Sequence, residues 1–264
     1  MPLMFRALWQ YRHFVISSIR NEFSSRFARS KLGGLWAIFN PLAMVTIYAL
    51  ILSNILQAKL VGIESQYSFA IYLTAGMLCF NLFSEIVSRS LNVFIANGNL
   101  IKKAMFPKIV LPAIAVGTAL LDNVLLFLSI LVIFAVLGHV PSINIIWLPF
   151  LIICTIALSA GIGLILGIFN VFVRDIAQVV PIILQMLFWF TPIVYPVSII
   201  PEAYRHYLYF NPMYPLVKAY QDVLVFGVAP EPANILAVAG ISGALLLVAF
   251  FLFMRANEEM ADVL

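Results

Sequence analysis

Charge is scarce in this chain. Only 10% of its 264 residues are Asp, Glu, Lys or Arg, 64% are hydrophobic, and the mean hydropathy is +1.07. A soluble globular domain is nearer half apolar and a quarter charged, so a water-soluble enzyme is excluded. Patterns that carry chemistry are missing as well. There is no G-x-x-x-x-G-K-[ST] loop for nucleotide phosphates, no H-E-x-x-H, and no G-x-S-x-G elbow. His13, His139 and His206 stand singly, outside any ligand-spaced group, so no metal is expected. The carboxylates Glu64, Asp175 and Glu202 are isolated from one another, which disfavours a membrane-embedded glycan polymerase or transferase.

Cysteine is nearly absent. Cys79 and Cys154 both fall in apolar runs, where buried free thiols are expected rather than a disulfide. No internal repeat is visible, so an inverted-repeat carrier gains no support. The first 33 residues hold six Arg or Lys and no apolar core, so no cleavable signal peptide is read. The net charge of +4 and pI near 9.1 do not mark a nucleic-acid binder, because the cations sit between apolar stretches and at one end.

Long apolar runs are abundant. Six can be marked: Gly34–Gln57, Phe69–Ser88, Ile109–Leu137, Ile143–Asn170, Ile176–Ile200 and Asn234–Met254. About 20 apolar residues cross a hydrocarbon core, and a spanning segment must satisfy its own backbone hydrogen bonds. The expected fold is therefore all-α and polytopic, a single transmembrane domain over 1–264 with spans one to five in 34–200 and span six in 234–254. Pro181, Pro192 and Pro196 make the fifth span the one expected to bend. With a cytoplasmic N-terminus, twelve Arg or Lys fall inside and three (Lys59, Arg205 and Lys218) outside. By the positive-inside rule both termini are cytoplasmic.

Two other stretches carry helical patterns. Phe5, Trp9, Ile16, Ile19, Phe23 and Phe27 fall in a stripe of about 80°, with Arg12 and Arg20 at its flanks and Ser18, Asn21, Ser25 and Arg29 opposite. Residues 1–33 thus read as an amphipathic helix on the cytoplasmic membrane face, with a plain basic topology anchor as the alternative. In 201–233, Met213, Leu216, Val217, Tyr220 and Leu224 recur at helical spacing. Short helices re-entering the outer leaflet are expected there, against an ordinary amphipathic extracellular loop. Asp122 lies within span three, near Thr118 and Asn123. An intramembrane carboxyl is a functional-site hypothesis by default, and a structural link between helices, a pathway lining and a proton relay are all open. Glu85 precedes Arg89 by four residues, the spacing of a helical ion pair.

The run Leu32-Gly-Gly-Leu-Trp-Ala-Ile-Phe-Asn-Pro-Leu42 resembles a known family, as do Asn97-Gly-Asn-Leu-Ile-Lys-Lys-Ala-Met-Phe-Pro107, Arg174-Asp-Ile, Thr191-Pro-Ile-Val-Tyr-Pro196 and Asn211-Pro-Met. The family is that of the transmembrane subunits of ABC transporters exporting bacterial polysaccharides, the Wzm-type O-antigen and capsule or teichoic-acid permeases. Two positions depart from its pattern: Gln221 stands before Asp222 where Arg is often found, and Phe80 where Trp is common.

The resemblance implies the permease subunit of an exporter of lipid-linked polysaccharide, O-antigen foremost, in the bacterial inner membrane. A permease for a drug or small lipid is the nearest alternative. It implies a homodimer with two copies of a separate ATPase chain, which carries ATP and Mg, so this chain has no cofactor and is not an enzyme. The substrate implied is a polyprenyl-pyrophosphate-linked glycan, and membrane lipids are the other partner. Residues 96–107 resemble the ATPase-coupling helix, with Asn99, Leu100, Ile101, Lys102, Lys103, Met105 and Phe106 as its contact set; Ile101, Met105 and Phe106 are expected to fill a pocket in the ATPase. Arg20, Arg26, Arg29 and Lys31 of the interface helix suit a pyrophosphate headgroup. Flat aromatic faces for sliding sugars are expected from Phe39, Tyr48, Phe188, Trp189, Phe190 and Tyr195, and an external gate from Tyr204, Tyr207 and Tyr209.

Overall fold

An apolar run long enough to cross a bilayer has no water to pair its N–H and C=O groups, and a helix is the only local solution. A computed structural model of the chain describes residues 9–27, 32, 35, 36, 39, 43, 46, 47, 68–103, 107–136, 138–256 and 259–263, and among these there is no strand. In chain order the helices are α1 (Arg12–Phe27), α2 (Ser68–Ala96), α3 (Gly98–Lys103), α4 (Val110–Val136), α5 (Leu148–Phe172), α6 (Ile176–Phe190), α7 (Glu202–Arg205), α8 (Met213–Gln221), α9 (Pro232–Ala256) and α10 (Glu259–Val263).

Four of them, α2, α4, α5 and α9, are long and apolar enough to cross a membrane. They match the second, third, fourth and sixth expected runs. The first run, Gly34–Gln57, lies almost wholly outside the described residues. Two boundaries need correcting. The second run continues past Ser88 to Ala96, since Leu91, Val93 and Phe94 are buried and Arg89 is paired. The fifth run does not reach Ile200 as a helix. It stops at Phe190, because Pro192 has no N–H to continue the ladder and the residue before it, Thr191, is extended.

The centre of the fold is α2, of which 78% is enclosed by protein over its most apolar window, against 28% for α4 and 22% for α9. It packs against α5, α4 and α8, while α9 packs on α5 and meets α2 through the stacked rings of Phe94 and Phe253. Helices in an apolar medium gain most from close backbone approach, which small residues permit. A Cβ on Gly167 of α5 would stand 2.3 Å from the Ser90 carbonyl oxygen of α2, so this crossing tolerates nothing larger than glycine. Two asparagine amides reinforce α2 from its neighbours: Asn123 Nδ2 donates to Leu78 O at 2.9 Å and Asn170 Nδ2 to Leu91 O at 2.8 Å. Cys79 and Cys154 are free and buried, as expected.

The segment before α9 is ordered by burial. Every residue of α8 except Lys218 is buried, including Met213, Leu216, Val217 and Tyr220, and the helix runs on through a π-helical turn, Asp222–Phe226, with Leu224 inside. The periodic set in 201–233 is buried along with its neighbours, on a helix that packs on α2 and α5. Gly227 ends the turn with φ +65°, a left-handed conformation that suits glycine.

Candidate functional site

The most polar place among these helices lies where α1 crosses α2 and α4. Helix α1 is held on α4 by a mixed face: Val15, Ser18, Ile19, Glu22 and Phe23 are half-buried, whereas Trp9 and Ile16 of the expected stripe are 72% and 62% exposed. Ser18, expected on the opposite side, lines the interior with Phe14 and Glu22. The rotation has a physical cause. The protein surface under α1 offers charge as well as hydrocarbon, and Glu22 and Arg26 turn toward it. Gly117 makes the close approach possible, since a Cβ there would meet Ile19 Cδ1 at 2.4 Å.

Five charges meet at this crossing. Arg26 Nη1 lies 2.9 Å from Asp122 Oδ2, and Arg89 Nη2 lies 3.2 Å from the same oxygen. Arg89 Nε donates to Glu85 Oε1 at 2.8 Å, the expected intrahelical pair, and Arg89 Nη1 donates to Glu22 Oε1. The Thr118 hydroxyl is 3.1 Å from Glu22 Oε2. One planar guanidinium thus binds carboxylates from α1, α2 and α4, a use that arginine's fork of donors allows and lysine's ammonium does not. Asp122 is not a lone carboxyl. Its pairs with Arg26 and Arg89 join α1 to α2 and α4, the contacts that the structural-link alternative calls for. Glu22 escaped the sequence reading, although it is the sole carboxylate in the first 63 residues and sits among six cations.

Beside the cluster, α1, α2, α3 and α4 line a half-open cavity of about 360 Å³. Arg89, Glu22, Asn92 and Asn97 form its polar part, and Phe14, Leu100 and Ile114 line its apolar part. This cavity connects α1 to the segment expected to couple to an ATPase. On that segment Asn99 and Lys102 point outward and Leu100 is half-buried. Ile101 is a correction. It was expected to enter a partner, but it is 7% exposed and packs with Val93, Phe94 and Leu111 of its own chain, because a six-residue helix needs an apolar anchor to lie down on the bundle. The side chain of Lys103, together with Met105 and Phe106, lies outside the described residues.

The remaining candidate residues are dispersed. Arg20 is exposed, Arg26 is committed to Asp122, and Arg29 and Lys31 lie outside the described residues. Phe39, Trp189 and Phe190 are exposed at 47%, 56% and 65%, and Tyr48 lies outside the described residues. Phe188 turns inward, its ring centroid 5.3 Å from that of Phe80, so the departure from tryptophan at position 80 is filled by an edge-to-face pair. Tyr195 is half-buried and donates its hydroxyl to Trp189 O at 2.9 Å. Tyr204, Tyr207 and Tyr209 are exposed, with Tyr204 stacked on Tyr207 and Tyr209 edge-on to Tyr214 at 5.2 Å. Burial pushes the Tyr214 phenol up to about 12, with Tyr209 and Asp222 adding to it, so it remains a hydrogen-bond donor at neutral pH.

Among the described residues no group of His, Cys, Asp and Glu is placed to hold a metal ion. The arrangement can anchor one helix to two others through charge, but it assembles no nucleophile, base and oxyanion donor.

Known proteins are similar to this chain over most of its length. The chain is 29% identical to "O-antigen export system permease protein RfbA" of Myxococcus xanthus, over 97% of each chain. It is 28% identical to the protein of the same name from Klebsiella pneumoniae, over 90% of each. It is also 27% identical to "Polysialic acid transport protein KpsM" of Escherichia coli, over 90% of this chain and 92% of that one. The pattern that defines the ABC-2 type transporter family matches residues 14–225, from within α1 to the π-helical turn after α8. The chain belongs to the ABC-2 type transporter family.

Proposed function

We propose that this chain is the permease subunit of an ATP-driven exporter that moves a lipid-linked polysaccharide, O-antigen foremost, across the bacterial inner membrane. The observation that carries the reading is the end-to-end likeness to O-antigen export permeases, on an all-helical chain with at least four apolar helices of spanning length. A capsule polysaccharide is the second reading, favoured by the likeness to the polysialic acid transport protein.

In this reading the chain crosses the membrane six times, with Gly34–Gln57 as the first span and both termini in the cytoplasm. The buried α8 and its π-helical turn are a re-entrant element of the outer half. Two copies pair around a conduit, and two copies of a separate ATPase chain supply ATP and Mg chemistry from below. Helix α6 supports this placement: only its Val180–Leu184 side is buried, and Ile182, Ile183, Met186, Trp189 and Phe190 are left free for a second copy or for the glycan. Docking to the ATPase runs through residues 96–107, with Asn99 and Lys102 outward and Ile101 as the anchor. Helix α1 lies on the inner leaflet, and Arg20, Arg29 and Lys31 serve to bind pyrophosphate and lipid headgroups. Tyr204, Tyr207 and Tyr209 close the outer mouth.

The test is made in cells lacking this chain. Loss of surface polymer with finished glycolipid retained on the inner leaflet is the expected result, and the retained glycan's composition decides between O-antigen and capsule. Absence of finished polymer from both places would move the assignment to synthesis. Unchanged surface polymer would refute polysaccharide export.

A further inference from the structure

Helix α6 breaks inside an apolar chain, and every carbonyl freed by such a break needs a donor. The donors at this break come from the corner itself and from three other places in the sequence. Leu187 O accepts from Thr191 N at 3.0 Å and from Thr191 Oγ1 at 2.6 Å. Thr191 O accepts from Ile193 N at 2.7 Å. Thr191 Oγ1 accepts from Asn211 Nδ2 at 2.9 Å, and Asn211 Oδ1 in turn accepts the Met213 N–H that opens α8. The carbonyl of Pro192 is held twice, by Gln221 Nε2 of α8 at 3.1 Å and by the Tyr72 hydroxyl of α2 at 3.2 Å.

The corner is closed to solvent. Thr191 and Ile193 are fully buried, and Gln221 and Tyr72 are 3% and 4% exposed. It also presses against α2: a Cβ on Gly76 would stand 2.9 Å from Gln221 Nε2 and 3.2 Å from Ile193 Cγ2. The three motifs Thr191–Pro196, Asn211–Met213 and Gln221–Asp222, dispersed in the sequence, thus converge on one point. A neutral amide suits position 221, because it feeds a buried carbonyl without placing a charge there.

We propose that Gln221 and Tyr72 are positioning residues for export: by holding the Pro192 carbonyl from two sides they fix the corner of α6 and keep the outer mouth shut in the resting transporter. The corner is a rigid joint rather than a loose hinge, and it carries Trp189, Phe190 and Tyr195 on one frame with α8. The inference rests on the reading of this chain as an exporter with α8 in the outer half.

The test uses the assembled transporter with its ATPase, in right-side-out and inside-out vesicles, with a reporter Phe190→Cys and a membrane-impermeant maleimide. Gln221→Met keeps length and volume but removes the amide, and Tyr72→Phe removes the hydroxyl. Either change alone leaves one donor on the carbonyl, so labelling is expected to stay within about twofold of the parent, whereas the double variant orphans it and should label about tenfold faster while export falls. That excess over the two single changes is the signature. Gly76→Ala, which keeps both donor side chains but drives a methyl into the Gln221 amide and against Ile193 of the corner itself, should also raise labelling and serves where the double variant fails to assemble. Parental labelling in the assembled double variant, equal effects of single and double changes, or parental labelling in Gly76→Ala would each overturn the proposal. Which vesicle orientation labels reports separately on the outer placement of α8, so failure of that reading is distinguishable from failure of the joint.

Discussion

Arg89 is the residue whose removal should matter most to the cluster beneath α1. Replacing it by Leu takes away the cation shared by Glu22, Glu85 and Asp122 and leaves three carboxylates facing Arg26 alone. The cost lies between two limits. Exposed ion pairs contribute about 0.2–1 kcal/mol, whereas breaking a buried pair costs about 3–5 kcal/mol because a charge is left uncompensated. Side-chain exposures of 15% for Asp122, 22% for Arg89, 30% for Glu85 and 41% for Glu22 put this cluster between those limits. We expect a loss of about 2–3 kcal/mol. At about 2–4 °C per kcal/mol for a chain near this size, the melting temperature in detergent should fall by roughly 4–12 °C. Arg89→Lys keeps the charge but not the fork and should recover about half of the loss. The damage should be local as well as global. Since α1 is otherwise only half-buried, its amides should exchange faster in Arg89→Leu than those of α5. A variant melting within about 1 °C of the parent, with α1 exchange unchanged, would refute the view that charge holds this helix in place.

Gly167→Ala should separate α2 from α5, since the added methyl would sit 2.3 Å from Ser90 O; a loss of about 1–3 kcal/mol is expected, read as a lower melting temperature in detergent. Ile19→Cys with Gly117→Cys should crosslink on mild oxidation, because Ile19 Cγ1, the atom a sulfur would replace, lies 3.3 Å from the new Cβ. Under the proposed function that crosslink should block export until a reductant is added, and free export by the oxidised protein would show that α1 need not move. Ile101→Ala should destabilise the chain itself by about 2–4 kcal/mol, whereas Lys102→Glu should leave its melting unchanged and weaken co-purification of the ATPase. The reverse pattern would place Ile101 in the partner after all.

Much of the architecture was legible because its cause is local. A run of apolar residues long enough to cross hydrocarbon folds as a helix unless proline interrupts it, as in the fifth run, and α2, α4, α5 and α9 appear where their runs predict them. The helical spacing of Met213, Leu216, Val217, Tyr220 and Leu224 likewise marked a helix at α8 and its turn, although burial there extends to nearly every residue and not to that set alone. The candidate site was legible only in part. The spacing of Glu85 and Arg89 foretold their pair, and Asp122 beside Thr118 stood out as a carboxyl that needed a partner. Nothing local pointed to Glu22 or Arg26 as its company.

The amino-acid sequence by itself determined the class of this protein, the positions of most of its long helices and the family to which it belongs, since each depends on composition and order along the chain. The tertiary structure decided which charges meet, which face α1 presents to the bundle, and how the break after α6 is closed. Arg26 and Asp122 are 96 residues apart, Arg89 and Glu22 are 67 apart, and Tyr72 reaches Pro192 across 120. Helical periodicity relates residues within a few turns, whereas an ion pair or a capped carbonyl depends on where whole helices come to rest against one another. The rotation of α1, which turned its polar residues inward, followed from the charges already waiting on α2 and α4.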